Sequence, residues 1–160
     1  MKNLIFFLLI SFYSFSQKTI PEVLKKFNNN SVPYIYVNEL KEKQNLIFLD
    51  AREESEFKVS HLKNAHYIGF EKFNSKKIKQ TFINFDATIV VYCSLGVRSE
   101  KIAEKLLKMG YKNVFNLYGG IFEWKNQNFP VYDSNNKETD NVHAFSKEWS
   151  KYLQKGTKVF

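Results

Sequence analysis

The chain has a single cysteine, Cys93, at the end of the apolar run Thr88-Ile89-Val90-Val91-Tyr92, and Ser94-Leu95-Gly96-Val97-Arg98-Ser99 follows it. A thiol does nucleophilic chemistry as its thiolate. A loop between a strand and a helix turns successive backbone N–H groups into one small space, at the positive end of the helix dipole. A thiol placed there is stabilised in the ionised form. Arg98 adds a fixed positive charge at the helix start, Gly96 permits a sharp curl, and Ser94 and Ser99 offer hydroxyls to a thiolate or a bound oxyanion. These residues predict Cys93 as nucleophile and Ser94, Leu95, Gly96, Val97, Arg98 and Ser99 as the cradle for a substrate.

A small anionic sulfur donor such as thiosulfate suits this arrangement. Its outer sulfur is open to attack, and the product would be a Cys93 persulfide held by the same amides. Cyanide, a small thiol or an acceptor protein would then remove the sulfur, a double displacement through a covalent intermediate. The competing reading makes Cys93 a buried small hydrophobe and Arg98 a surface cation. The strand–Cys–x4–Arg–helix context favours chemistry.

The elements that position the loop follow from pattern. Leu46 to Leu49 and Thr88 to Tyr92 are apolar at nearly every position, as in strands covered on both faces of a parallel sheet. The first ends in Asp50 and the second in Cys93, so chemistry-bearing residues sit at carboxyl ends of strands, where open α/β sheets place their sites. After Arg98, the residues Ile102, Ala103, Leu106 and Leu107 make one apolar stripe among Lys101, Glu104, Lys105 and Lys108, an amphipathic helix closed by Gly110. Val114 to Leu117 reads as the next strand, and Gly119-Gly120 as a turn into a short helix. Tyr34 to Val37 is a β-prone run, and Asn38 is placed to cap a helix from Glu39 to Lys43.

On these residues the sequence resembles the rhodanese family over about residues 34–132. LDAREESEFKVSHLKNAHYI (49–68) is similar to its Asp-x-Arg signature, VVYCSLGVRSEKIAEKLLKMGYKNVFNLYGG (90–120) to its cysteine loop, helix and Gly-Gly turn, and GGIFEWKNQNFPVY (119–132) to its closing segment. The resemblance implies a single α/β domain with a five-stranded parallel sheet and helices on both faces. It implies a sulfurtransferase in which Cys93 carries persulfide and Ser94 to Arg98 bind the donor. It also implies a six-residue loop from Cys93 to Arg98, one residue shorter than in the related phosphatases and arsenate reductases. Ser60 stands where the family has Gly, and Leu95 and Val97 stand where members that prefer thiosulfate carry basic or polar residues. A persulfide carrier or partner-binding module without turnover is the alternative function.

Asp50, Arg52, Glu56 and His61 are expected to support the loop rather than react, with Arg52 paired to Glu56 or Asp50 and His61 satisfied in a turn. His66 and His143 lack ligand-like neighbours, so neither metal nor cofactor is expected. A net charge of +8 is spread over scattered lysines, without a helix-turn-helix, zinc-finger or single-strand-binding pattern, and nucleic acid is not an expected partner. One cysteine cannot form an internal disulfide, so the fold rests on a core that sixteen Phe and nine Tyr help to fill.

Residues 1–17 (MKNLIFFLLISFYSFSQ) have the layout of a secretory signal peptide, a basic n-region followed by an apolar run. The run is short against the roughly 20 residues of a membrane span. Cleavage, a periplasmic or secreted mature chain and no stable membrane insertion afterwards are expected. Residues 18–33 read as an extension with a short helix around Val23, Leu24 and Phe27. Residues 133–141 read as a polar linker, and the Phe145, Trp149, Tyr152 spacing as a helical tail docked on the domain.

Overall fold

A computed structural model of the chain describes residues 19–160. The expected signal peptide, residues 1–17, lies outside them. Five parallel strands form the central sheet: β1 (Tyr34–Ile35), β2 (Ile47–Asp50), β3 (His66–Tyr67), β4 (Thr88–Tyr92) and β5 (Asn113–Leu117), in the spatial order β1-β5-β4-β2-β3. The anticipated five-stranded parallel sheet is therefore present.

Its middle strand explains the unbroken apolar run. Ile89 and Val91 pack with Ile102, Ala103 and Leu106 of the helix Val97–Lys108, and with Ile78 of Ser75–Thr81. Val90 and Tyr92 point the other way, into a cluster with Val23 of Ile20–Phe27 and with Ile121 and Phe122 of Gly120–Asn126. Ile89, Val90, Val91 and Tyr92 have no exposed surface. Burial of each such side chain is worth about 1.5–3 kcal/mol, so helices cover both faces because both faces are apolar. In chain order the helices are α1 (Ile20–Phe27), α2 (Glu54–Val59), α3 (Ser75–Thr81), α4 (Val97–Lys108) and α5 (Gly120–Asn126).

Register sets the site. Asp50 of β2 lies opposite Tyr92 of β4, so both strands end at the same level. The next residues, Ala51-Arg52 and Cys93-Ser94, emerge side by side at that edge.

Three local expectations are corrected. In place of a helix capped by Asn38 there is a 3-10 turn, Val37–Glu42, capped by Tyr36, whose amide donates to the Glu39 carboxylate at 2.6 Å. The segment 133–141 is not only a linker: Glu138–Thr139 pairs antiparallel with Val131–Tyr132, because a turn at Asp133 returns the chain. The tail is not a continuous helix. Asn141–His143 pairs in parallel with Thr157–Val159, and only Trp149–Tyr152 forms a 3-10 turn. The tail does dock: Val142, Ala144 and Leu153 are fully buried, and Asn126 holds it through the Tyr152 carbonyl (2.9 Å) and the Gln154 amide (2.7 Å).

Candidate active site

Cys93 leaves β4 buried, with 2% of its surface exposed, and the chain curls back over its sulfur. The Gly96 amide donates to Cys93 Sγ at 3.1 Å. Gly96 reaches this position at φ +110°, and a Cβ there would meet Leu24 Cδ2 at 3.3 Å and the Leu117 carbonyl at 3.4 Å. Glycine suits the backbone angle, and a Cβ would fit only tightly against these neighbours. The Ser99 hydroxyl, in the first turn of α4, lies 3.5 Å from Sγ and 2.7 Å from Asn116 Oδ1, so one proton serves two acceptors.

The carbonyls of the loop are turned away from the sulfur and anchored. Those of Cys93 and Ser94 accept from the amides of Ile121 (2.9 Å) and Phe122 (3.2 Å) at the start of α5. The Gly96 carbonyl accepts from Asn116 Nδ2 (2.8 Å) and Asn28 Nδ2 (2.9 Å). Gly120 sits where a Cβ would come within 2.2 Å of the Cys93 carbonyl oxygen. With its carbonyls tied outward, the loop is held in the curl that gives the sulfur the Gly96 N–H.

Electrostatics shift the balance toward the ionised sulfur. Burial pushes the Cys93 thiol up, but the Arg98 charge, the Ser99 hydroxyl and the Ser99 and Gly96 amides outweigh it, and the net shift is below the ordinary thiol value. Arg98 acts at a distance. Its guanidinium grips Glu56 at 2.6 and 2.8 Å and also donates to Ser94 Oγ at 3.0 Å. Burial would raise the Glu56 carboxyl, but Arg98 first, then Arg52 and the Glu53 amide, hold it below the ordinary carboxylate value.

Two expectations change here. Ser94 does not offer its hydroxyl to the sulfur, because it donates to Glu56 Oε1 at 3.0 Å. Of the two partners open to Arg52, the structure selects Asp50: Nη2 lies 2.7 Å from its carboxylate, both side chains are fully buried, and Nη2 also reaches the Ser60 carbonyl. Glu56 serves Arg98 instead, which carries it from the Asp-x-Arg turn to the cysteine loop. His61 Nδ1 faces the Phe57 carbonyl at 3.1 Å and its ring stacks on Phe57. Its backbone exchanges hydrogen bonds with Tyr132 at 2.8 and 2.9 Å. Leu95 is buried and Val97 half-buried beside Cys93.

A cavity of about 270 Å³ opens over Cys93. Its walls include Leu95, Val97 and Arg98 from the loop, Phe27 from the end of α1, and Phe145 and Trp149 from the tail. Sequence reasoning missed Phe27 and Phe145 as site residues, along with Asn28 and Asn116. The two asparagines act only through the carbonyl and hydroxyl they meet in space, which no local motif marks. The aromatic spacing in the tail was the one available signal, and it led to docking but not to the site.

Comparison with known proteins gives the family. The family model for the rhodanese-like domain matches residues 34–127. The chain is 29% identical over 97 residues to thiosulfate sulfurtransferase GlpE of Coxiella burnetii, covering 61% of this chain and 87% of that protein. It is 32% identical over 102 residues to tRNA uridine(34) hydroxylase of Photorhabdus laumondii, covering 59% of this chain but only 29% of that protein. Among solved structures, a rhodanese-related protein of Thermoplasma volcanium superposes with a TM-score of 0.53 at 27% identity, over 62% of this chain and 96% of that one. The matched segment runs from β1 to the end of α5 and contains the whole cysteine loop with the strands that carry it, and the chain belongs to the rhodanese-like domain family.

Proposed function

We propose that the chain is a sulfurtransferase that moves sulfane sulfur from a small donor to a thiophilic acceptor through a persulfide on Cys93. One observation carries this reading: Cys93 Sγ receives the Gly96 amide at 3.1 Å inside an anchored curl, at the floor of an open cavity. With thiosulfate, the thiolate attacks the outer sulfur, the S–S bond of the donor breaks, and its electron pair leaves on sulfite. The new persulfide ends in a terminal S⁻ that needs the stabilisation the thiolate had. Cyanide then attacks that terminal sulfur, and the electron pair of the breaking bond returns to Cys93 as thiolate. Charge and atoms balance in both steps, and no outside oxidant is required.

Arg98, by its charge, and Gly96 and Ser99, by hydrogen bonds, favour the thiolate of Cys93. Asp50, Arg52, Glu56 and His61 hold the neighbouring loop. The match to GlpE, a protein named for thiosulfate sulfurtransfer, supports the reaction class.

The test is thiocyanate formation from a sulfane donor and cyanide, with intact mass before and after donor. The wild-type chain should gain one sulfur and lose it to cyanide, and Cys93→Ser should do neither. A Cys93→Ser protein with wild-type turnover would remove the cysteine from the mechanism. A sulfur gained once and not discharged to any acceptor would favour the carrier reading. We also propose export, supported by Lys2 followed by the apolar run Leu4 to Ile10. A mature chain that retains Met1 would refute it.

A further inference from the structure

The cavity over Cys93 is not built by the family domain alone. Three of its walls come from outside residues 34–127: Phe27 from the helix that precedes the domain, and Phe145 and Trp149 from the tail that follows it. The rings form a continuous wall, with Phe27 5.9 Å and Phe145 6.3 Å from Trp149 between centroids. Leu95 and Val97 supply apolar surface from the loop itself. At about 270 Å³ the space falls just below the range of roughly 300–1,000 Å³ found for small-molecule pockets.

Charge in this chamber is already committed. Arg98 is the one ionisable cation among the described residues lining it, and its guanidinium is bound to Glu56 by two hydrogen bonds and to Ser94 by a third. The Phe145 ring lies over that guanidinium at 4.8 Å and covers its face. A sulfonate group entering here would lose water and compete with Glu56 and Ser94 for a guanidinium that already holds them by three hydrogen bonds, which is costly for a charged group. An apolar group would lose nothing.

The backbone at Phe145 points the same way. Its φ is +65°, an outlier for a bulky residue. Backbone held in such a region is strained and persists where the surroundings impose it, often at ligand clamps. Here its amide donates to His143 Nδ1 at 3.1 Å, while the adjoining Ala144 is fully buried. The tail thus fixes an aromatic ring, about half exposed, at the mouth of the cysteine site.

We propose that the donor is an organic sulfane compound whose sulfur is carried on an apolar, aryl- or alkyl-sized group, with Phe27, Phe145 and Trp149 as the residues that select it. This rests on the sulfurtransferase reading and specifies its substrate class. With a hydropersulfide R–S–SH, the Cys93 thiolate attacks the outer sulfur and R–S⁻ departs with the electron pair of the broken bond. The proton remains on the terminal sulfur of the new Cys93 persulfide. The R group stays in the aromatic chamber throughout.

Three stable donors separate the terms: benzenethiosulfonate, methanethiosulfonate and inorganic thiosulfate, with cyanide as acceptor and thiocyanate as readout. The first two present the same reacting atoms and charge and differ in apolar area. Each kcat/KM is divided by the uncatalysed cyanolysis rate of its donor. The phenyl donor should exceed the methyl donor by about tenfold or more, the usual size of a selectivity set by apolar contact. Phe145→Ala, Phe145→Gly and Trp149→Ala should each lower that ratio severalfold. The glycine variant removes the ring while suiting the backbone angle. A ratio near one in the wild type, a ratio unchanged in all three variants, or a preference for thiosulfate would overturn the inference and leave sulfur transfer standing. Failure of all three donors to yield thiocyanate would overturn the sulfurtransferase reading and this inference with it.

Discussion

Replacing Arg98 by methionine removes the strongest influence favouring the ionised sulfur while keeping a side chain of similar length in the gap. A cation nearby favours the charged form of an acid, so the Cys93 midpoint should move up when the guanidinium is removed. Below both midpoints the thiolate fraction falls about tenfold for each unit of that rise, or about 1.4 kcal/mol. A more basic thiolate is intrinsically more nucleophilic, with a coefficient of about 0.4–0.5 that returns roughly threefold per unit. Alkylation by iodoacetamide should then be about threefold slower per unit at low pH and about threefold faster per unit well above both midpoints, and the two pH profiles should cross. The substitution also leaves Glu56, 3% exposed, without its cation, a loss of about 3–5 kcal/mol for a buried pair. The double variant Glu56→Gln/Arg98→Met removes both charges and should recover much of that loss. A folded Arg98→Met protein whose alkylation midpoint equals the wild type would refute the argument that this charge sustains the thiolate.

Gly120→Ala should cut thiocyanate formation on the order of 100-fold, because its Cβ would meet the Cys93 and Ser94 carbonyl oxygens at 2.2 and 2.7 Å and a shift of the loop misplaces the nucleophile; near-normal turnover would show that the loop tolerates the displacement. Asn116→Ala strips the fully buried anchor from the Gly96 carbonyl and the Ser99 hydroxyl, and urea denaturation should report a loss of about 1–3 kcal/mol. The Glu56 carboxyl is held below its ordinary value in the folded chain, so its contribution to stability is complete above the unfolded value near about 4.3 and is lost as pH falls through the lower folded value. Glu56→Gln should therefore flatten the acid limb of a stability profile, and an unchanged limb would assign acid sensitivity to other groups.

The strands at the centre of the sheet were legible in the sequence because burial on both faces leaves a simple mark: Ile89, Val90, Val91 and Tyr92 are all apolar, and all are fully enclosed. The helix after the loop was legible for the opposite reason, since Ile102, Ala103 and Leu106 face the sheet while Lys101 and Lys105 stay in water. The 3-10 turn at Val37–Glu42 and the return strand Glu138–Thr139 were not. Each is short, and each is decided by one side chain bonding to the backbone, Glu39 in the first and Asp133 in the second. Six or fewer residues carry too little periodicity to outvote such a contact.

The site divides along the same physical line. Cys93, Gly96, Arg98 and Ser99 lie within one loop and helix start, so their spacing alone placed them together. Glu56 lies 42 residues from Arg98 and reaches it only because β2 and β4 end at the same level. Its charge predicted an ion pair but not which arginine would take it; Asp50, two residues from Arg52, wins that guanidinium by proximity and leaves Glu56 to Arg98. Phe27 and Phe145 are further still from the motif, and both are large apolar residues left about half exposed. An exposed aromatic is ordinary on a protein surface, and nothing in the order of residues distinguishes these from the rest. They become informative only beside a nucleophile whose nearest cation is already paired. On the proposed function, sulfur chemistry follows from the loop, while the proposed choice of donor follows from two segments outside it.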